Sequence, residues 1–403
     1  MNQPAGTPAG SGVPATEMAN AFVAFLFAAS APVAIILGAG MRGGLSEADL
    51  ASWIFAAFAV NGLLTIVMSW RYRQPLAFFW TIPGTVLVGQ ALQTLSLAEV
   101  IGAYLLTGLL LLLLGVTGWV RAAMDRIPMP IVMGMVAGVF IQFGLDWIMA
   151  FAEAFILVTA MSATFFALSA TTRLQKRLPP MIGVLLVGLA VLLMQGSADD
   201  ATLGALDGVP VLAAPGFYTP EFTIAAAIEL VLPLTITVIA AQNAQGIVIL
   251  RNAGHQPPVN AITNACGGAS LITALMGSVS TCLTGPSNAI LVSGGRIERH
   301  WLAAVMLGTL GMLFGAVAPL VTGLLLATPM AFVATLAALA LLRTLQGAFQ
   351  IAFGNGFPLG ALIAFLVTLA GMPVLNIGAP FWGLVLGVLA SLALERESFA
   401  RKV

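Results

Sequence analysis

Two short segments carry the residue types from which an anion site without a fixed cation can be built. In Phe78-Phe79-Trp80-Thr81-Ile82-Pro83-Gly84-Thr85 an aromatic and β-branched run gives way to Pro-Gly, and in Ser280-Thr281-Cys282-Leu283-Thr284-Gly285-Pro286-Ser287-Asn288 a hydroxyl-rich run gives way to Gly-Pro. Each reads as extended backbone followed by the first turn of a half-helix, because proline suits the first helical position, where its missing N–H is unpaired in any case. A helix N-terminus carries about half a positive charge, so two of them facing one cavity suit a monoanion such as a carboxylate. Two kinked but continuous helices are the alternative reading. The candidate binding residues are therefore Phe79, Thr81, Pro83, Gly84, Thr85, Thr284, Gly285, Pro286, Ser287 and Asn288, with Ser30 beside Pro32 in an earlier apolar run.

Glu229 is the third candidate, 8 positions after Glu221 inside an apolar run. That spacing is about 12 Å along a helix, where an ionisable group costs about 3 kcal/mol on insertion scales. Desolvation disfavours the charged carboxylate, so Glu229 is placed to take up and release a proton. A permanently protonated Glu229 that hydrogen-bonds a neighbouring helix is the competing reading.

The elements that must position these residues follow from composition. The 403 residues are 60% hydrophobic and 7% charged, against about 25% charged in a soluble domain. This points to an all-α polytopic membrane protein and leaves no room for a soluble catalytic domain. At about 20 residues per span, apolar runs fall at 19–38, 51–69, 76–92, 98–120, 131–145, 148–170 and 178–194, then at 222–249, 259–276, 280–292, 301–325, 331–342, 359–371 and 381–394. Residues 346–357 read as an interfacial connection. With both termini in the cytoplasm, every Lys and Arg except Arg42 falls on the inner side, as the positive-inside rule requires. An odd number of spans in each half makes any similarity between halves an inverted repeat, and Pro32 and Pro233 occupy corresponding places.

Other chemistries find little support. Cys266 and Cys282 sit in apolar surroundings and read as small buried hydrophobes. His255 and His300 lie in basic loops and read as solvated. Nothing has the spacing of a metal site, a phosphate loop or a nucleophile triad, so no cofactor, metal or enzymatic activity is expected. The basic loops set topology, so no nucleic-acid binding is expected either.

Five stretches together resemble the bacterial benzoate/proton symporter family, BenE: Thr81-Ile82-Pro83-Gly84, Ile127-Pro128-Met129-Pro130-Ile131-Val132-Met133-Gly134, Gln242-Asn243-Ala244-Gln245-Gly246, Pro257-Pro258-Val259-Asn260 and Thr284-Gly285-Pro286-Ser287-Asn288-Ala289-Ile290. The family in turn resembles the nucleobase and sulfate transporter superfamily, as does the Asn376-Ile377-Gly378 turn. The resemblance implies about 14 segments in two inverted 7-span repeats, split into a core domain (19–120 and 222–325) and a gate domain (121–196 and 326–395). An external linker (197–221) and cytoplasmic tails (1–18 and 396–403) complete the organisation. It implies Glu229 as the acidic residue of the eighth span that contacts substrate or proton. The neutral stretch Gly285-Pro286-Ser287-Asn288 departs from nucleobase carriers, which commonly place a second carboxylate there. The implied activity is import of benzoate or a similar aromatic carboxylate with a proton across the bacterial inner membrane, with membrane lipid around it and a possible homodimer. A nucleobase/proton symporter and a passive organic-anion channel are the alternatives.

Overall fold

The computed structural model describes residues 15–120, 128–170, 178–195, 209–354, 356–372, 374 and 379–400. Outside them lie most of the N-terminal tail, Arg121, Arg126, Ile127, Arg173, Lys176, Arg177, the linker acids Asp199, Asp200 and Asp207, the Asn376-Ile377-Gly378 turn, Arg401 and Lys402, and the side chain of Ser30.

Helices α1 (Ala15–Arg42) and α2 (Glu47–Tyr72) lead into strand β1 (Phe78–Trp80) and a short helix α3 (Ile82–Ala91), followed by α4 (Leu97–Thr117). Next come α5 (Met129–Glu153), α6 (Phe155–Ser169) and α7 (Pro180–Met194). The order then repeats. Helices α8 (Ile224–Asn252) and α9 (Val259–Leu275) precede strand β2 (Thr281–Leu283) and the short helix α10 (Gly285–Leu291). Helices α11 (His300–Ala316), α12 (Ala318–Leu326), α13 (Met330–Gly354), α14 (Pro358–Ala370), α15 (Ala379–Leu394) and α16 (Arg396–Ala400) follow.

Six helices among the described residues, α1, α2, α4, α5, α8 and α13, are long and apolar enough to cross a membrane, and the pair α11 and α12, bent by 66°, makes a seventh if it is one span. Helices α6, α7, α9, α14 and α15 are apolar but shorter. Several boundaries differ from the sequence reading. Helix α13 runs unbroken through residues 346–354 of the stretch read as an interfacial connection: Arg343 and Gln346 are exposed while Leu341, Ala348 and Ala352 are buried, so the polar residues mark a face of the helix, not its end. Helix α5 continues past residue 145 to Glu153, and α1 starts at Ala15, inside the expected tail, where Glu17 is buried and accepts a hydrogen bond from Arg296 N at 3.1 Å. His255 and His300 are buried, not solvated, with Nε2 and Nδ1 3.0 Å apart. Burial and the neighbouring His300 hold His255 below the ordinary imidazole range.

Two sets of packed helices share one continuous core, joined by α1, which packs on α13 as well. Helix α2 packs on α11, α4 on α9, and α1 on α3, α10 and α11; α5 packs on α13 and α14, α14 on α15, and α6 on α7. Glycines permit the closest approaches: a Cβ at Gly62 would strike the Gly308 carbonyl, and one at Gly267 would strike that of Gly108. Small residues at helix crossings are how membrane bundles gain packing without a hydrophobic drive between helices. Leu109, Leu113, Trp119, Ile156 and Leu389 stay exposed on the outside, as a lipid-facing surface requires.

Candidate functional site

The centre of the molecule is a two-stranded antiparallel ribbon in which Phe78 pairs with Leu283, Phe79 with Cys282 and Trp80 with Thr281. Extended backbone in an apolar interior needs every N–H and C=O satisfied, and side chains from neighbouring helices do this. Thr65 Oγ1 accepts from Phe78 N at 2.8 Å and donates to Phe78 O at 3.1 Å, and Ser69 brackets Leu76 in the same way. On the other strand, Asn243 Oδ1 accepts from Leu283 N at 2.7 Å, Ser270 Oγ accepts from Thr281 N at 2.9 Å, and Asn61 Oδ1 accepts from Thr281 Oγ1 at 2.7 Å.

Each strand then turns into a helix, and the two turns are finished differently. Thr81 caps α3: its Oγ1 accepts from Gly84 N at 3.2 Å and donates to Thr237 Oγ1 at 3.2 Å. Its carbonyl accepts from Thr85 Oγ1 at 3.0 Å. Thr284 holds the same position on α10 but makes no capping bond, and its buried Oγ1 has no hydrogen-bond partner among the described residues. Asn288 is fully buried and locks the junctions together, accepting from Ala77 N at 3.1 Å and donating to Ala77 O at 3.3 Å and Thr284 O at 2.6 Å.

A cavity of about 20 Å³ lies between these turns, walled by Phe79, Trp80, Ile82, Gln242, Thr284 and Ser287, with Phe27, Ala28, Pro32 and Pro286 around them. That volume holds about one water. Trp80 lines this cavity too, and its buried Nε1, like Thr284 Oγ1, has no hydrogen-bond partner among the described residues. Phe58, Phe79 and Trp80 stack around one side with centroids 5.0 to 5.8 Å apart.

Glu229 lines a different cavity, of about 300 Å³, with Arg42, Val86, Gln90 and Gln142. The two cavities succeed one another along α3, since Ile82 borders the first and Val86, one turn on, borders the second. Prolines shape both walls. A proline inside a helix displaces the carbonyl four residues earlier, which is Ala28 for Pro32 and Glu229 for Pro233; Glu229 accordingly sits in a widened turn of α8, Ala227–Val231. A separate cavity of about 530 Å³ between Glu47, Ser52 and Pro210 contains none of the expected site residues. Nearby, Tyr218 donates to Asp49 Oδ1 at 2.7 Å, and burial with that carboxylate pushes the phenol well above its usual range.

Of the residues singled out from sequence, Phe79, Thr284, Pro286 and Ser287 share the small cavity and Glu229 lines the large one. Thr81, Pro83, Gly84, Thr85, Gly285 and Asn288 are buried beside them and line neither. Sequence reasoning passed over Arg42 and the indole N–H of Trp80. The first had a signal, as the one basic residue that the expected topology leaves on the outer side; the second had none, because an indole's hydrogen-bond partner is decided by tertiary structure.

A sequence profile described as BenE, benzoate membrane transport protein, matches residues 12–393. The chain is 30% identical over 395 residues to the inner membrane protein YdcO of Escherichia coli (strain K12), an alignment that spans 96% of this chain and 99% of that protein. It is likewise 30% identical over 380 residues to a benzoate membrane transport protein of Acinetobacter baylyi, spanning 93% of each. Among solved structures, the transmembrane domain of a cyanobacterium bicarbonate transporter, BicA, superposes with a TM-score of 0.57 at 15% identity, covering 92% of this chain and 97% of that one. The murine solute carrier 26 family member A9 anion transporter, in its inward-facing state, superposes at 0.62 and 12% identity, covering 96% and 69%. At those identities the structures establish the fold, which is mostly helical, multi-span and BicA-like. The sequence matches establish the rest: the chain is a membrane transport protein, not an enzyme, and belongs to the benzoate membrane transport protein family, BenE.

Proposed function

We propose that the protein imports benzoate or a similar aromatic carboxylate together with protons, by alternating access. The observation that carries this reading is the pair of buried donors without partners, Trp80 Nε1 and Thr284 Oγ1, on one cavity wall beside Phe79 and the uncapped turn of α10. A carboxylate can accept from both at once, and its ring then lies against aromatic side chains. Helix α10 has 7 residues, so its dipole is a minor contribution and the hydroxyl and indole donors supply most of the recognition. The benzoate named for the Acinetobacter relative and the anions named for the structural neighbours support the same class of substrate.

At about 20 Å³ the cavity is too small for an aromatic ring, which enters only if its walls separate. Rocking of the core (19–120 and 222–325) against the gate (121–196 and 326–395) supplies that separation, with the α1–α13 contact on the moving boundary. In this reading the shorter apolar helices and the α3 and α10 half-helices complete about 14 segments in two inverted 7-span repeats. The 197–221 linker then lies outside, both termini face the cytoplasm of a bacterial inner membrane, and gate domains can pair as a homodimer. Glu229, in the neighbouring cavity one turn along α3, carries the proton.

Uptake of labelled benzoate into proteoliposomes tests the reading. With an inward proton gradient benzoate accumulates above its outside concentration, excess uracil or xanthine does not compete, and Glu229→Gln equilibrates benzoate without concentrating it. Gradient-independent uptake in the unmodified protein points instead to a passive anion channel, and competition by nucleobases to a nucleobase carrier.

A further inference from the structure

Arg42 ends α1 on the wall of both the Glu229 cavity and an adjoining one of about 220 Å³. Its Nη2 donates to Asp146 Oδ2 of α5 at 2.5 Å, and Gln142 Nε2 donates to the other oxygen, Oδ1, at 3.2 Å. The guanidinium carbon stands 4.6 Å from the centre of the Phe143 ring. The remaining charged side chains lining the two cavities are Glu153 and Glu229, so among the described residues Arg42 is the cation of this space.

We propose that Arg42 is an outer capture site for the substrate carboxylate, and that Asp146 is a built-in stand-in which the substrate displaces. The proposal rests on the reading of the substrate as an aromatic carboxylate. A guanidinium fork matches a carboxylate with two parallel hydrogen bonds, whereas Asp146 engages Arg42 through one oxygen and shares the other with Gln142. A carboxylate on the guanidinium with a phenyl ring against it is the pair of groups that benzoate carries in one molecule. The Arg42 and Asp146 side chains are 33% and 26% exposed, so an incoming anion can reach the pair and exchange with it. The Arg42–Asp146 pair ties the end of α1 to α5, so displacing Asp146 also releases that tie. The captured anion then stands in the cavity that Glu229 lines, next to the group assigned the proton.

Transport kinetics in proteoliposomes and binding of labelled benzoate to nanodisc-embedded protein test this with Arg42→Gln and Asp146→Asn. Capture by Arg42 raises KM about 10-fold or more in Arg42→Gln while the maximal rate stays within about 2-fold. It also removes the weakening of benzoate binding by salt. Asp146→Asn, which frees the cation from its competitor, lowers KM. An unchanged KM in Arg42→Gln, or a KM raised in both variants as loss of a structural tie would produce, overturns the proposal. If the unmodified protein fails to accumulate benzoate, the transport reading falls separately. The nanodisc result still decides Arg42: binding lost in Arg42→Gln supports the capture site, and binding equal in both proteins, or absent from both, rejects it.

Discussion

At the β1–α3 junction Thr81 turns its hydroxyl onto Gly84 N and Thr237, and the polar capacity of that turn is consumed within the protein. At the β2–α10 junction Thr284 occupies the same capping position, yet its buried hydroxyl has no partner among the described residues, and Thr284 lines a cavity together with Trp80, whose indole N–H is likewise unpartnered among them. Burying an unsatisfied polar group costs about 1–3 kcal/mol. Thr65, Ser69, Ser270 and Asn243 satisfy the strand groups nearby, whereas Thr284 and Trp80 are the residues lining this cavity whose buried polar atoms have no partner among the described residues. The lesson is that two junctions of like sequence are finished differently: one spends its threonine hydroxyl on the fold, and the other keeps its own unspent, which is what the proposed binding role uses.

The largest expected effect tests the part both junctions share. Asn288→Ala leaves Ala77 N unpaired in the interior and removes a second donor from Ala77 O, which keeps Thr284 N at 3.0 Å; it is expected to cost about 2–3 kcal/mol, read as a fall in thermal unfolding temperature. Gly84→Ala comes next, because a Cβ there meets the Thr81 methyl and Leu234, whereas at Gly285 it meets the flexible end of Gln245. The first is expected to cost about 1–3 kcal/mol by overpacking and Gly285→Ala less, so equal losses would break the comparison.

Thr284→Val removes a hydroxyl that bonds to nothing, so stability should hold or rise while KM for benzoate rises about 10-fold, worth about 1.4 kcal/mol. Thr81→Val should do the reverse, losing about 1 kcal/mol with its cap and leaving KM within about 2-fold of the unmodified value. The smallest effect is a control away from both junctions. Because His255 is held below the ordinary imidazole value of 6.5, the unfolded chain binds more protons in that range. The neutral His255 imidazole therefore stabilises fully above pH 6.5, and this contribution is lost as pH falls through the lowered value. His255→Gln should flatten that acid loss in a thermal melt and leave the proton dependence of uptake, assigned to Glu229, in place.

Much of this was legible in the sequence for identifiable reasons. Strands β1 and β2 fall where aromatic and β-branched residues precede Pro-Gly and Gly-Pro, since proline both ends one backbone regime and starts another. Glu229 stood out because a carboxyl inside an apolar run has few innocuous explanations. What stayed hidden depends on three-dimensional partners. Whether Thr81 or Thr284 spends its hydroxyl is decided by Thr237, far away in sequence, and the seam in α13 vanished because Arg343 and Gln346 share one exposed face. The histidine pair escaped because two basic loops fold onto each other, and loop charge suggests solvent.

A structure determined with benzoate bound tests the central claim most directly. The account requires the carboxylate within hydrogen-bond reach of Thr284 Oγ1 and Trp80 Nε1, with the ring against Phe79. A carboxylate seated instead on the capped turn at Gly84, or a ring lodged away from both junctions, would contradict it.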